Sequence, residues 1–221
     1  SGGSDGSIGL WTLGSRERLL VFAAHRGAVR GVQSDILDES LLYSFGDDRK
    51  VASWSLKDEK QRVSHALPRA TAASIGALAQ RVVPTGHGFE TQAVSLGADG
   101  RVLCWDRDVP ERPVLEAESP RVPVKAAATS PSARFFATVA DDGALRIYDS
   151  GLEQTARALD TGELSPPDFG VRLLVETPAH SISATTIAWS PDEKQIVTGG
   201  ADGCVGVWNF FLALTEPPKD E

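Results

Sequence analysis

Short runs of alternating apolar and polar residues recur along the chain, and turn residues frame each run. The clearest case is near the C-terminus, where Gln195–Gly199 and Cys204–Trp208 flank Ala201-Asp202-Gly203. Successive side chains of a strand point to opposite faces, so this alternation predicts two strands with one face in a core. Asp-Gly readily adopts the positive φ of a tight hairpin, so the two strands should be antiparallel neighbours.

The same phrase, an aspartate turn followed six positions later by an aromatic residue, occurs five times. The copies are Asp5–Trp11, Asp48–Trp54, Asp99–Trp105, Asp142–Tyr148 and Asp202–Trp208. Successive aromatic residues are 43, 51, 43 and 60 positions apart. A self-similar unit of about 40–45 residues is typical of propeller blades. The sequence therefore predicts an all-β protein, a β-propeller of four-stranded antiparallel blades.

These repeats resemble the WD-repeat family of β-propellers. Each copy has Ser or Thr four residues before its Asp, at Ser1, Ser44, Ser95, Thr138 and Thr198. The resemblance implies a hydrogen-bonded chain within a blade, built from a His before the first strand, this hydroxyl, the Asp and the Trp. Two copies carry all four members: His25, Ser44, Asp48 and Trp54 in one, and His180, Thr198, Asp202 and Trp208 in the other. The third and fourth copies lack the His, so packing has to contribute more there.

Strand counting predicts a partial ring of three full blades flanked by two partial ones. We expect residues 1–213 to form it, with blades at 1–24, 25–68, 69–119, 120–179 and 180–213, an insertion at 150–170 and a disordered acidic tail at 214–221. The chain contains no Met and opens within a repeat. We therefore expect it to be the C-terminal part of a propeller whose N-terminal half is missing. Trp54, Trp105, Tyr148 and Trp208 should be largely buried at equivalent places.

Composition narrows the classes of function. The formal net charge is −8, and Lys and Arg form no stripe of the kind that tracks phosphates, which argues against nucleic acid as a partner. The two cysteines, Cys104 and Cys204, favour a reduced intracellular protein over a disulfide scaffold. No apolar run is long enough to cross a bilayer, so no membrane insertion is expected. Without a nucleophile, metal-ligand or cofactor motif, we expect a non-enzyme without cofactor or metal.

The remaining class is a protein–protein interaction scaffold, whose partners should meet exposed turns on a rigid frame. We expect the charged turn residues Arg26, Asp47, Arg49 and Asp141 to contact partners on one face of the disc, with the 150–170 insertion at its periphery. The doublets Asp47-Asp48 and Asp141-Asp142 are also compatible with a cation site, but both fall at hairpin turns.

Finer resemblances point to three kinds of assembly. Tyr43–Trp54 and Ser190–Thr198 are similar to segments of ciliary and centriolar WD-repeat proteins that line microtubules. That similarity implies a cytoplasmic, cytoskeletal protein with tubulin or microtubule-associated partners. Trp105-Asp106, with Arg107 one place early, resembles the Trp-Asp-x-Arg of ubiquitin-ligase substrate receptors. An accessory subunit of another multiprotein complex is the third possibility.

Overall fold

The computed structural model describes residues 1–57, 60–66, 74–85, 88–106, 113–117, 119–152 and 170–211, and the backbone alone at 60–66. The expected tail at 214–221 and most of the expected insertion lie outside these residues. The described residues form seventeen strands, which in chain order are β1 Ser7–Trp11, β2 Arg18–Ala23, β3 Val29–Ser34, β4 Leu41–Gly46, β5 Lys50–Ser55, β6 Lys60–Ala66, β7 Ile75–Thr85, β8 Gly88–Gly97, β9 Val102–Trp105, β10 Leu115–Ala117, β11 Val124–Thr129, β12 Phe135–Ala140, β13 Ala144–Asp149, β14 Arg172–Pro178, β15 Ala184–Trp189, β16 Gln195–Gly200 and β17 Val205–Asn209.

The strands form five antiparallel sheets, which we call blades 1 to 5 in chain order. Blade 1 contains β1 and β2, and blade 5 contains β15, β16 and β17. Blades 2, 3 and 4 each contain four strands in sequential order, β3 to β6, β7 to β10 and β11 to β14. The predicted fold class, a partial propeller with three full blades between two partial ones, is therefore confirmed for the described residues.

The first strand of blades 2 to 5 bulges directly after its first residue. The register shifts there between Val29 and Gly31, Ile75 and Ala77, Val124 and Ala126, and Ala184 and Thr186. The extra residues are Arg30, Gly76, Lys125 and Thr185. A bulge re-aims the side chain of its extra residue. In blade 3 no side chain fits, because a Cβ on Gly76 would lie 2.0 Å from the carbonyl oxygen of Val124 in blade 4.

The hydrophobic core lies between adjacent blades. Tyr43 and Phe45 of blade 2, for example, belong to one buried cluster with Leu103 and Trp105 of blade 3. Each such cluster removes apolar area from water on both sheets, so neighbouring blades stabilise each other.

The repeat aromatics are not equally buried. Trp54, Trp105 and Tyr148 are at most 5% exposed, as expected from the sequence. The expectation that Trp208 is also largely buried was wrong, because its side chain is only half-buried. Within the described residues β17 is an edge strand, so no fourth strand covers the outer side of this indole.

Candidate interaction surface

In blade 2 the structure brings together the four residues that the sequence grouped. Trp54 Nε1 donates to Ser44 Oγ at 2.8 Å, and Ser44 Oγ lies 2.8 Å from His25 Nε2. His25 Nδ1 lies 2.8 Å from Asp48 Oδ1. A neutral imidazole with its proton on Nδ1 satisfies every member, because Ser44 then donates to Nε2 and Nδ1–H donates to the carboxylate. The chain joins the loop before β3 to β4, to the following turn and to β5.

Blade 5 repeats this geometry. Trp208 Nε1 donates to Thr198 Oγ1 at 3.0 Å, which lies 2.9 Å from His180 Nε2, and His180 Nδ1 lies 3.0 Å from Asp202 Oδ1. The backbone N–H groups of Cys204 and Ser181 also donate to Asp202, each at 3.0 Å. These backbone donors, together with His180, lower the pKa of Asp202 to about 2. The carboxylate is therefore committed to its own blade.

Blades 1 and 3 contain the hydrogen bond from the Trp indole to the hydroxyl, which is the first link of the hydrogen-bonded chain described for blade 2. Trp11 Nε1 donates to Ser1 Oγ at 2.9 Å, and Trp105 Nε1 donates to Ser95 Oγ at 2.8 Å. In blade 3 the carboxylate of Asp99 accepts the backbone N–H of Arg101 at 3.1 Å. A hydrogen bond from the indole to this hydroxyl is thus present in each of the four blades that carry Trp.

Blade 4 replaces the chain with a different set of contacts. Asp142 is bound by Arg146, whose guanidinium donates to both carboxylate oxygens and also to Glu176 Oε1 at 3.2 Å. Arg146 is only 4% exposed, so in blade 4 a buried cation binds the turn aspartate that an imidazole contacts in blades 2 and 5. Thr138 Oγ1 is buried without a hydrogen bond of ordinary geometry, because Tyr148 brings no indole N–H to it. The Tyr148 phenol interacts with it only weakly, since burial dominates and raises the pKa of Tyr148 to about 12.

Two of the predicted partner-binding residues, Asp47 and Asp141, form ion pairs with the bulge residues of their own blades. Asp47 accepts from Arg30 Nε at 2.6 Å and from Arg30 Nη2 at 2.9 Å, and Lys125 Nζ lies 3.1 Å from Asp141 Oδ1. Hydrogen bonds from these bases hold the pKa of both carboxyl groups below its ordinary value. Both pairs are exposed, so they order the turns while staying accessible from solvent.

The other two predicted partner-binding residues lie beside the same turn of blade 2. The side chain of Arg26 is exposed, and its backbone N–H donates to Asp48 Oδ2 at 3.2 Å. Arg49 has φ of +60°, at the position where Gly6, Gly100, Gly143 and Gly203 stand in the other turns. Non-glycine residues rarely adopt this left-handed conformation, so the turn of blade 2 is strained.

Sequence reasoning missed a polar network across three blades. Gln80, fully buried on β7, donates Nε2 to the carbonyl of Ser34 at 2.7 Å and accepts the N–H of Ile36 at 3.1 Å. Its backbone N–H donates to Thr129 Oγ1 of blade 4 at 2.9 Å. The available signal was a polar pair, Gln80-Arg81, within an otherwise apolar strand.

Arg81 extends this network on the opposite face of β7. Its guanidinium is bidentate to Gln92 Oε1, at 2.9 and 2.6 Å, and Gln92 Nε2 donates to Asp106 Oδ2 at 2.7 Å. Arg81 is only 7% exposed. A satisfied buried network of this kind rigidifies the element that carries it.

The strand β7, which carries Gln80 and Arg81, forms an unusually long hairpin with β8. The strands β7 and β8 contain 11 and 10 residues, whereas the matching strands of blade 4 contain six each. At roughly 3.3 Å per residue, four extra pairs extend the hairpin by about 13 Å beyond its neighbours. Residues 86–87, between the two strands, lie outside the described part.

A cleft of about 410 Å³ opens at the base of the hairpin, lined by Asp35, Ile36, Gln80, Thr129 and Trp189 among others. In the described ranges, no three His, Cys, Asp or Glu side chains are grouped closely enough to hold a metal ion. No helix within those ranges is long and apolar enough to span a bilayer.

Comparison with known proteins identifies the repeat. The family model described as WD domain, G-beta repeat matches residues 113–149 and 172–209. These ranges contain β10 to β13 and β14 to β17, which include the first three strands of blades 4 and 5.

Three relatives illustrate the range of similar proteins. Telomerase protein component 1 of Mus musculus is 26% identical over 96% of this chain and 7% of its own length. The probable cytosolic iron-sulfur protein assembly protein 1 of Cryptococcus neoformans is 27% identical over 42% of the chain and 21% of its own length. Ribosome biogenesis protein ERB1 of Malassezia globosa is 31% identical over 50% of the chain and 12% of its own length. The chain thus spans about a fifth or less of the length of these relatives. Residues 113–149 and 172–209, which supply most of blades 4 and 5, are similar to the WD domain, G-beta repeat.

Proposed function

We propose that this protein is a non-catalytic scaffold subunit that holds other proteins together in a multiprotein assembly. The proposal rests on the contacts of the His and Asp side chains, which are the residue types that could otherwise act as acids or bases. His25, His180, Asp48 and Asp202 are bonded within their own blades, so the repeat residues maintain the frame. WD40 repeat proteins generally serve as protein-interaction scaffolds.

The relatives support an accessory subunit of a larger complex. Their names describe an assembly protein, a protein component of telomerase and a ribosome biogenesis protein. Each name is that of a protein working with other macromolecules, which is the setting we propose for this chain.

A finer version of the proposal places the protein in the cytoplasm, in a microtubule-based assembly such as a cilium, axoneme or centriole. It rests on the sequence similarity of 43–54 and 190–198 to proteins of that kind. Arg26 and Arg49 would then contact the acidic surface of tubulin, with Asp47 beside Arg49 in the same turn and Asp141 in the corresponding turn of blade 4. Co-sedimentation with taxol-stabilised microtubules tests it: wild-type protein should pellet, and Arg26→Glu should reduce the pelleted fraction. Protein that stays in the supernatant overturns this version alone.

The alternative of a ubiquitin-ligase substrate receptor rests on Trp105-Asp106. Asp106 accepts a hydrogen bond from Gln92, and Arg107 lies outside the described residues. Co-purification of a cullin adaptor would favour this alternative over the assembly subunit.

The scaffold proposal is tested by isolating the tagged protein from its source cells after mild crosslinking. We expect partner proteins to be recovered in fixed stoichiometry. The same isolation with Asp141→Ala protein then locates the contact, because partners are lost if the blade turns form it and retained if they do not. Protein recovered without any stoichiometric partner would overturn the scaffold function.

A further inference from the structure

Three exposed apolar side chains lie at one end of blades 2 and 3. Ile36 and Leu37, in the loop after β3, are 36% and 50% exposed, and Phe89 on the outer part of β8 is 59% exposed. Large apolar side chains that cluster at the surface mark interaction sites, whereas single ones need no explanation.

Hydrogen bonds bring the three side chains to the same place. Thr91 Oγ1 donates to Asp35 Oδ1 at 3.0 Å, which joins the outer hairpin to the residue directly before Ile36. Phe89 lies two residues from Thr91, so both point to the same face of β8, roughly 7 Å apart along the strand. Phe89 therefore extends this face of the hairpin outward beyond Thr91, on the side of the loop that carries Ile36 and Leu37.

This surface is held rigidly from below. The carboxylate of Asp35 caps its own loop by accepting the N–H groups of Leu37 at 2.8 Å and Asp38 at 3.0 Å. Gln80 holds the N–H of Ile36, and the hydroxyl of Tyr43 donates to the carbonyl of Thr91 at 3.2 Å. Little ordering would be needed on binding, which favours affinity.

Acidic groups surround the apolar side chains. Asp38 and Glu39 follow Leu37 in the loop, and Glu90 follows Phe89; all three are exposed. Neither Glu39 nor Glu90 forms an ion pair with any other described residue. The bond from Leu56 N to the Ser40 carbonyl, at 2.8 Å, brings the base Lys57 near the loop. Among the described residues, Glu39 and Glu90 are left as acids without a base bound to them. Charge complementarity therefore favours a basic partner.

We propose that Ile36, Leu37 and Phe89, with Asp38, Glu39 and Glu90, form a docking platform for an extended segment of another protein that alternates apolar and basic residues. The apolar side chains of that segment cover Leu37 and Phe89, and its bases meet the surrounding carboxylates. This proposal rests on the scaffold function proposed above and names one of its contact surfaces.

The test uses two fluorescent eight-residue peptides, one alternating Leu and Arg and the other alternating Leu and Glu, titrated with the whole protein in an anisotropy assay. We expect the Arg peptide to bind at least about tenfold more tightly than the Glu peptide. Leu37→Ser, Phe89→Ser and Glu39→Lys should each weaken the Arg peptide by at least about fivefold, because each removes an anchor or reverses a charge. Thermal melting of every variant verifies that it is folded.

Matched controls are available elsewhere on the chain. Val175→Ser removes an equally exposed apolar side chain from β14, and Glu17→Lys reverses an exposed acid of blade 1. Both should bind the Arg peptide like wild type. Equal binding of the two peptides, unchanged binding by all platform variants, or equal weakening by Glu39→Lys and Glu17→Lys would each overturn the platform. Phe89→Ser protein isolated from cells should lack at least one of the wild-type partners. The complete set of wild-type partners on that variant would also overturn the platform, while leaving the scaffold function intact.

Discussion

Blades 2 and 4 have the same four-stranded topology but are held together by different chemistry. In blade 2 the hydrogen-bonded chain from Trp54 through Ser44 and His25 to Asp48 gives each of these four side chains a partner. In blade 4 a buried cation, Arg146, binds the turn carboxylate.

The comparison shows that both blades use the turn aspartate, whereas of the two only blade 2 uses the complete hydrogen-bonded chain of Trp, hydroxyl, His and Asp. Asp142 accepts the backbone N–H of Ala144 at 3.1 Å, as Asp48 accepts that of Lys50 at 3.3 Å. The partner of the aspartate can change from imidazole to guanidinium. Burial opposes the charge of Arg146, but the hydrogen bonds that the guanidinium donates to Asp142 and Glu176 outweigh it and raise the pKa of the guanidinium. The two blades should therefore respond differently to loss of a single partner.

The largest effect is expected for Asp142→Ala. It leaves the guanidinium of Arg146 buried with only Glu176 as an anionic partner, and should lower the free energy of unfolding by about 3 kcal/mol. The double variant Asp142→Ala/Arg146→Met should recover at least half of that loss, because it also removes the buried charge. Chemical denaturation measures both, and a single variant as stable as wild type would show that the ion pair is dispensable.

The next largest difference is expected between two threonines at the same repeat position, Thr198 of blade 5 and Thr138 of blade 4. Thr198→Val removes the hydroxyl that links Trp208 to His180 and should cost about 2 kcal/mol. Thr138→Val in blade 4 removes a hydroxyl that has no hydrogen bond of ordinary geometry, and should be neutral or stabilising by up to about 1 kcal/mol. Equal losses in the two denaturation curves would contradict the assignment of Thr138 as unsatisfied.

The turn carboxylates predict a pH dependence. The pKa of Asp202 is about 2 in the folded protein, below its ordinary value of 3.8. The unfolded chain therefore binds more protons between these values, so the contribution of Asp202 to stability is present above about pH 4 and is lost as the pH falls toward 2. The melting temperature should fall across this interval, and Asp202→Asn should make the fall less steep. An unchanged slope in that variant would count against a lowered pKa.

The smallest effect concerns Arg49. Replacing it with Gly relieves the positive φ and should raise the free energy of unfolding by about 0.5 kcal/mol, part of the gain being offset by the greater freedom of Gly in the unfolded chain. Arg49→Ala keeps the strained conformation and serves as the control, with no gain expected. A stabilisation of equal size in both variants would mean that the side chain, not the backbone, is the source of strain.

The repeat was predictable from the sequence because turns and alternation are local. The Asp-turn phrases located the two strands on either side of each turn in blades 2 to 5, and the outer strands β2, β6, β10 and β14 follow the aromatic residue of blades 1 to 4. The hydroxyl four residues before each Asp also lies beside its aromatic residue in the four Trp blades.

Features that depend on contacts between blades were not predictable. Nothing local distinguishes Arg146, which binds the turn aspartate, from an ordinary exposed strand residue. Gln80 bonds to residues 44–49 positions away, so its role appears only when the blades are assembled. The length of the β7–β8 hairpin was missed because Trp54–Gln92 carries no repeat phrase. Trp208 was expected to be buried because its repeat is complete, whereas burial depends on a neighbouring strand.

A paired measurement on Trp54→Phe and Phe89→Ser tests most directly whether repeat residues maintain the frame while the added hairpin binds partners. Melting temperature and affinity for the Leu–Arg peptide would be determined for both variants and for wild type. We predict that Trp54→Phe loses about 2 kcal/mol of stability, because it removes the bond to Ser44 and part of a buried ring. Its affinity should stay within about twofold of wild type, because Trp54 lies in the core of blade 2. Phe89→Ser should keep its stability and lose at least about fivefold in affinity. A stability loss in Phe89→Ser with affinity retained, or an affinity loss in folded Trp54→Phe, would contradict that division of roles.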